Sequence, residues 1–193
     1  MTLLPGFTQP VHQSQQAFRL ILKALSEPGS RVTLPVKDGW HPLGKAATGV
    51  LLTLADGETP LAICPALGSD AVINNLRFHT GAPLAARPAL ASLAVFDNRL
   101  TAAQLQALAH GTEISPELGA MVVVQIDSLD DGVPLRLSGP GIEHPRRAAP
   151  ALPAPLLDYL VNRPQRFPLG LDFLLACEDG LMAIPRTTHV EVC

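Results

Sequence analysis

The apolar positions of this chain fall into short runs whose spacing switches repeatedly between the helical and the extended period. Val11, Ser14, Phe18, Ile21, Leu22 and Leu25 share one side of a helix predicted over 10–26, with Gln13, Gln16, Arg19 and Lys23 elsewhere. Glu27-Pro28-Gly29 stops it, because Pro28 disfavours helical geometry at Glu27 and Gly29 tolerates positive φ. A short strand follows over 31–34. A second helix is predicted over 42–55, with Pro42 pre-set for its first turn and Asp56-Gly57 at its end. Residues 61–64 read as an apolar strand, and Ser69 caps a helix running from Asp70 to His79.

Residues 93–96 form another strand, and Thr101 caps a helix ending near His110-Gly111. Met121 to Ile126, apolar apart from Gln125, is the clearest buried strand. After the Asp130-Asp131-Gly132 turn come a strand over 135–137 and a helix over 153–161. Two more strands, 171–177 and 181–184, pair across Asp179-Gly180. Strands alternating with helices define an α/β fold: a layered mixed β-sheet flanked by helices and closed by antiparallel strands near its C-terminal end. No repeat or long linker divides the chain, so residues 1–193 are expected to form a single domain.

Composition narrows the partners. With 47% of the 193 residues hydrophobic and 16% charged, disorder is excluded. Fourteen basic against 17 acidic residues give a net charge of -3, which excludes an electrostatic nucleic-acid binder. An aromatic content of 4% argues against a base-stacking platform. So few charges fit poorly with a solitary monomer and point to apolar surface covered by partner subunits. Three cysteines without a CxxC pattern suit a reducing compartment, with Cys64 and Cys177 as small core residues. No basic residue precedes Arg19, and no apolar stretch nears the ~20 residues a bilayer requires. The expectation is a cytoplasmic chain without signal peptide or membrane contact.

Candidate chemistry is sparse. Gly39-Trp40-His41-Pro42-Leu43-Gly44-Lys45-Ala46 matches the spacing of a phosphate-binding loop, but Ala46 stands where magnesium needs a hydroxyl. Trp40 and Pro42 also stiffen it, so a turn feeding a helix is the better reading. The six histidines are too far apart for a local metal motif, and Lys23, Lys37 and Lys45 include no convincing Schiff-base lysine. No cofactor or metal is expected.

Two segments carry chemistry worth following. Ser138, Gly139 and Gly141, in Leu135-Arg136-Leu137-Ser138-Gly139-Pro140-Gly141-Ile142, could present a hydroxyl and backbone N–H groups to an anion; a plain sharp turn is the simpler alternative, which we favour. In Ile184-Pro185-Arg186-Thr187-Thr188-His189-Val190-Glu191, Arg186 offers a fork matched to phosphate or carboxylate, with hydroxyl donors from Thr187 and Thr188 and the ring of His189 beside it. That cluster reads equally as an anion or partner site and as a solvated edge strand alternating at period two. Arg146-Arg147 reads as an exposed loop. No catalytic nucleophile stands out.

These segments together resemble the PhnH family, whose members are components of the bacterial carbon–phosphorus lyase core complex. The resemblance is carried by Gln16-Ala17-Phe18-Arg19, Lys23-Ala24-Leu25-Ser26-Glu27-Pro28-Gly29, Val50-Leu51-Leu52-Thr53-Leu54-Ala55-Asp56 and Leu76-Arg77-Phe78-His79-Thr80-Gly81-Ala82-Pro83-Leu84. The 135–142 segment, Phe167-Pro168-Leu169-Gly170-Leu171-Asp172 and the distinctive 184–192 ending complete it. It implies a fold similar to the pyridoxal-phosphate-dependent transferases without that cofactor, a homodimer, and assembly with the G, I and J subunits of that complex. It further implies a role in replacing the adenine of MgATP with a phosphonate, giving an α-D-ribose 1-phosphonate 5-triphosphate. A separate radical S-adenosylmethionine enzyme component later breaks the C–P bond. The resemblance places the glycosyl chemistry mainly on the I component and implies no established catalytic residue in PhnH itself. The expected role is therefore accessory, with a phosphate- or phosphonate-binding role as the alternative.

Overall fold

The chain alternates helix and strand in the order α1 (Pro10–Ser26), β1 (Arg31–Thr33), α2 (Lys45–Leu54), β2 (Leu61–Ile63), α3 (Asp70–Thr80), β3 (Leu93–Phe96), α4 (Ala102–Gln106) and β4 (Met121–Gln125). It continues through β5 (Leu135–Gly139), β6 (Ile142–Ala148), α5 (Ala154–Val161), β7 (Asp172–Cys177), β8 (Gly180–Ile184) and β9 (His189–Val192). The computed structural model describes residues 3–193.

A six-stranded sheet has the order β1-β8-β7-β4-β3-β2. Its β2, β3, β4 and β7 run parallel, and β8 and β1 add antiparallel partners on one side. Parallel strands are covered on both faces, which is why their sequences are near-continuous apolar runs, with Gln125 and Asp172 only at strand ends. All of β3 is buried, and Val122, Val123, Val124, Phe173, Leu174 and Leu175 have no exposed surface. The mixed α/β expectation holds, with one addition: β6-β5-β9 forms a separate three-stranded antiparallel sheet. The tail strand β9 joins that sheet and not the large one.

Helix α1 packs on β1, β8 and α2, and α2 packs on β4 and β7. The face that α1 buries is rotated from the predicted one and overlaps it in part: Ile21 is buried and Leu25 packs against the core as expected. Ala17, Ile21 and Ala24 are buried, because small alanines let the helix approach the sheet closely, whereas Val11 (75%), Phe18 (51%) and Leu22 (54%) stay exposed. Helix α2 begins at Lys45 and not at Pro42. Residues 40–43 close a turn through Leu43 N–H to the Trp40 carbonyl at 2.8 Å, and Gly44 becomes the N-cap. Ser69 caps α3 by accepting from the Val72 N–H, and Gly81, in the left-handed region, ends it. Thr101 and Gln104 form a reciprocal capping box on α4, which stops at Gln106, short of the predicted His110. His110 instead forms a bridge with Gly119. Among the described residues no helix is long and apolar enough to cross a membrane.

Candidate functional site

Strand pairing brings the two sequence candidates together. In the β5–β9 register Ser138 stands opposite His189. The Pro140-Gly141 connection joins β5 to β6, with a register shift between Leu137 and Gly139. Both glycines answer to packing. Gly139 (φ 126°) lies where a Cβ would stand 2.8 Å from the Thr187 carbonyl oxygen, and Gly141 (φ 79°) is pressed against the Ser26 carbonyl at the end of α1. Arg146 lies in β6, not in a loop, and donates to the carbonyls of Glu27 (2.9 Å) and Pro28 (2.6 Å); Arg147 is exposed on the same strand.

A pocket of about 370 Å³ opens beside the β8–β9 turn. That turn gives it Arg186, Thr187 and Thr188, with His189 at the start of β9. Pro140 of the hairpin forms one wall, and the α5–β7 loop supplies Arg163, Gln165 and Phe167. None of the last three was a candidate site residue from the sequence, although Phe167 opens one of the segments that carry the family resemblance. An arginine two residues after an apolar helix and directly before Pro164 was the signal available.

The two arginines are held very differently. Arg186 is nearly saturated within the chain: Nε and Nη2 donate to Asp172 Oδ2 at 3.0 and 2.7 Å, and its backbone N–H donates to Oδ1 at 2.8 Å. Its Nη1 donates to the carbonyls of Pro116 (2.8 Å) and Pro168 (3.2 Å). The fork read from the sequence thus grips an internal carboxylate and pins two loops. Arg163 donates only through Nη2, to the Pro185 carbonyl at 2.9 Å; its Nε and Nη1 are buried without an acceptor among the described residues. Burial lowers its proton affinity, the Tyr159 and Asp172 groups oppose that, and Arg186 adds to it. Thr188 is 1% exposed, and its Oγ1 also lacks a partner among the described residues.

Tyr159 underpins this wall. Its hydroxyl accepts from the Leu171 N–H (3.3 Å) and donates to Gln165 Oε1 (3.1 Å), which leaves the amide nitrogen of Gln165 as its donor end. Burial raises the Tyr159 pKa above the ordinary phenol value. His110 stacks on the Tyr159 ring at 6.3 Å.

Other sites offer less open chemistry. A depression of about 450 Å³ lies at the carboxyl ends of β3, β4 and β7, where α/β sheets commonly bind ligands. Its polar groups satisfy one another: Arg99 bonds Asp97, and Asn98 Nδ2 donates to Asp127 Oδ2 at 2.8 Å. The loop spaced like a phosphate cradle is occupied too, since Gly44 N–H meets Gln125 Oε1 and Ala46 N–H meets the Glu178 carbonyl. Among the described residues no group of three His, Cys, Asp or Glu side chains could hold a metal ion. Cys64, Cys177 and Cys193 are free thiols.

Fold and pocket together define a mixed α/β protein with a polar concavity walled by arginine, threonine and histidine. The chain belongs to the PhnH family, described as "Bacterial phosphonate metabolism protein (PhnH)", whose sequence model matches residues 5–191. It is 32% identical over 192 residues to the "Alpha-D-ribose 1-methylphosphonate 5-triphosphate synthase subunit PhnH" of Rhizobium meliloti (strain 1021), covering 96% of this chain and 94% of that one. It is also 34% identical over 186 residues to the "Putative C-P lyase subunit protein HtxG" of Stutzerimonas stutzeri, covering 93% and 87%.

Proposed function

We propose that the chain is an accessory subunit of the transferase assembly that makes an α-D-ribose 1-phosphonate 5-triphosphate from MgATP and a phosphonate in the cytoplasm. The observation that carries this reading is the end-to-end similarity to a relative named as a subunit of that synthase. The reading includes a homodimer, association with the G, I and J subunits of the carbon–phosphorus lyase, and a fold related to the pyridoxal-phosphate-dependent transferases. Residues 1–193 act as one domain, a view supported by the continuous cluster of buried side chains running from Ala17 to Val190. The exposed stripe on α1 supports a docking role. Val11, Phe18 and Leu22 lie within about 40° of one another around the helix axis, at 3.6 residues per turn.

Co-purification with the G, I and J subunits, followed by a product assay with and without this chain, tests the reading. Loss of product in its absence is expected. Full activity without it, together with failure to co-purify, would overturn the proposal.

A second reading, in which this chain itself holds a phosphate or phosphonate group, is favoured by the unmatched donors of Arg163 in the pocket wall.

A further inference from the structure

The geometry points to Arg163, with Thr188 and Gln165, as the grip for a compact tetrahedral oxyanion, while Arg186 is committed to building the wall. This assignment rests on the second reading above and gives it residues. Arg163 and Arg186 bring two positive charges and Asp172 one negative, so the wall keeps one unmatched cation. A guanidinium stays charged at any working pH, and a buried charge without a counter-ion is costly. The acceptors missing from Arg163 Nε and Nη1 and from Thr188 Oγ1 are what an anion brings.

The donors differ in kind and position: a guanidinium from the α5–β7 loop, a hydroxyl from the β8–β9 turn, and an amide whose orientation Tyr159 fixes. A flat carboxylate has two oxygens to offer such a set, whereas a phosphate or phosphonate has three or four, spread in three dimensions. At about 370 Å³ the pocket has ample room for such an anion against the donor-bearing wall.

The test is a titration of the full chain with inorganic phosphate, methylphosphonate or ATP, each against chloride at matched ionic strength, by calorimetry and thermal shift. Phosphate and methylphosphonate are expected to bind and to raise the unfolding midpoint. Arg163→Gln should weaken both by about tenfold or more, and Thr188→Val, which keeps the side-chain shape, by a smaller factor. Thr188→Val also keeps the test decisive if Arg163→Gln does not fold. Binding that persists undiminished in both variants, or in folded Arg163→Gln, overturns this assignment and leaves the second reading standing. Binding of ATP alone overturns the compact-anion class. If neither the chain nor its assembled complex with the G, I and J subunits binds any of the three, the second reading falls with it.

Discussion

Arg186 and Asp172 are locked face to face, with Nη2 and Nε at 2.7 and 3.0 Å from one carboxylate oxygen and the Arg186 backbone N–H at 2.8 Å from the other. The side chains are 12% and 22% exposed, so water does little to loosen the pair. The same guanidinium ties down the Pro116 and Pro168 carbonyls, joining three stretches of chain. Arg186→Ala would strand a mostly buried carboxylate and two carbonyls. We expect a loss of about 3 kcal/mol, the low end for removing one partner of a buried pair, measured by urea unfolding. Arg186→Lys should recover only part of it, since an ammonium cannot reproduce the fork. A loss below about 1 kcal/mol would show that the pair is ordinary surface.

The stripe on α1 makes a separate prediction. Phe18→Ser with Leu22→Ser removes two half-exposed apolar side chains and should change folding stability by about 1 kcal/mol or less. On the proposed docking role, association with a second copy or with the G, I and J subunits should weaken by tenfold or more, which is roughly 1.4 kcal/mol. Light scattering and co-purification read this directly, and unchanged association would leave that face as plain surface.

His110 supplies a pH dependence. Burial lowers its pKa from the ordinary 6.5, the Leu108 backbone opposes the shift, and the Arg186 cation adds to it. The unfolded chain therefore takes up the proton first as pH falls. The stability from the neutral ring is complete above pH 6.5 and is lost through the window below it. Compared with His110→Phe, which keeps a ring against Tyr159, the parent chain should lose more of its unfolding free energy between neutral pH and mild acid. Parallel pH profiles for the two would refute it.

Gly141 is the fourth test. At φ 79°, pressed on the Ser26 carbonyl, it should lose about 1–2 kcal/mol on Gly141→Ala from backbone conformation alone, and more from displacement of the hairpin. Gly57→Ala is the control, because a Cβ there meets nothing within 4 Å and its backbone needs no positive φ. That substitution should be neutral or slightly stabilising. Equal effects at both positions would contradict the structural distinction.

The buried parallel strands, the β7–β8 hairpin and the Ser69 and Thr101 caps were readable from the sequence, because each depends on local pattern or on a side chain one turn away. Strand β6 was not. Glu143, His144, Arg146 and Arg147 carry no apolar alternation, and Pro145 discourages a strand reading, yet an edge strand tolerates both and the Pro140-Gly141 connection delivers it to β5. Helix α4 was read too long because Leu105 and Leu108 continue a helical spacing, and no breaker appears before Gly111. The α1 face was placed correctly at Ile21 and Leu25 but not at Val11, Phe18 and Leu22, for a similar reason. Periodicity favoured the larger side chains, while the sheet accepted Ala17 and Ala24, whose small size permits close contact. At the candidate site the tail was visible as a polar cluster. That Arg186 would find its carboxylate in Asp172, and that Arg163 would be left with open donors, depends on segments brought together only by folding.

The pocket borrows its walls from three stretches distant in sequence: the residue 140 corner, the 163–167 loop and the 186–189 turn. A fragment lacking any one of them loses part of the cavity, so an anion held there as proposed would distinguish intact chains from cut or unravelled ones. Occupancy at a hundredfold excess over the dissociation constant would add about 2.7 kcal/mol to the free energy of unfolding. Supply of that small molecule would then set how long each copy survives heat or proteases.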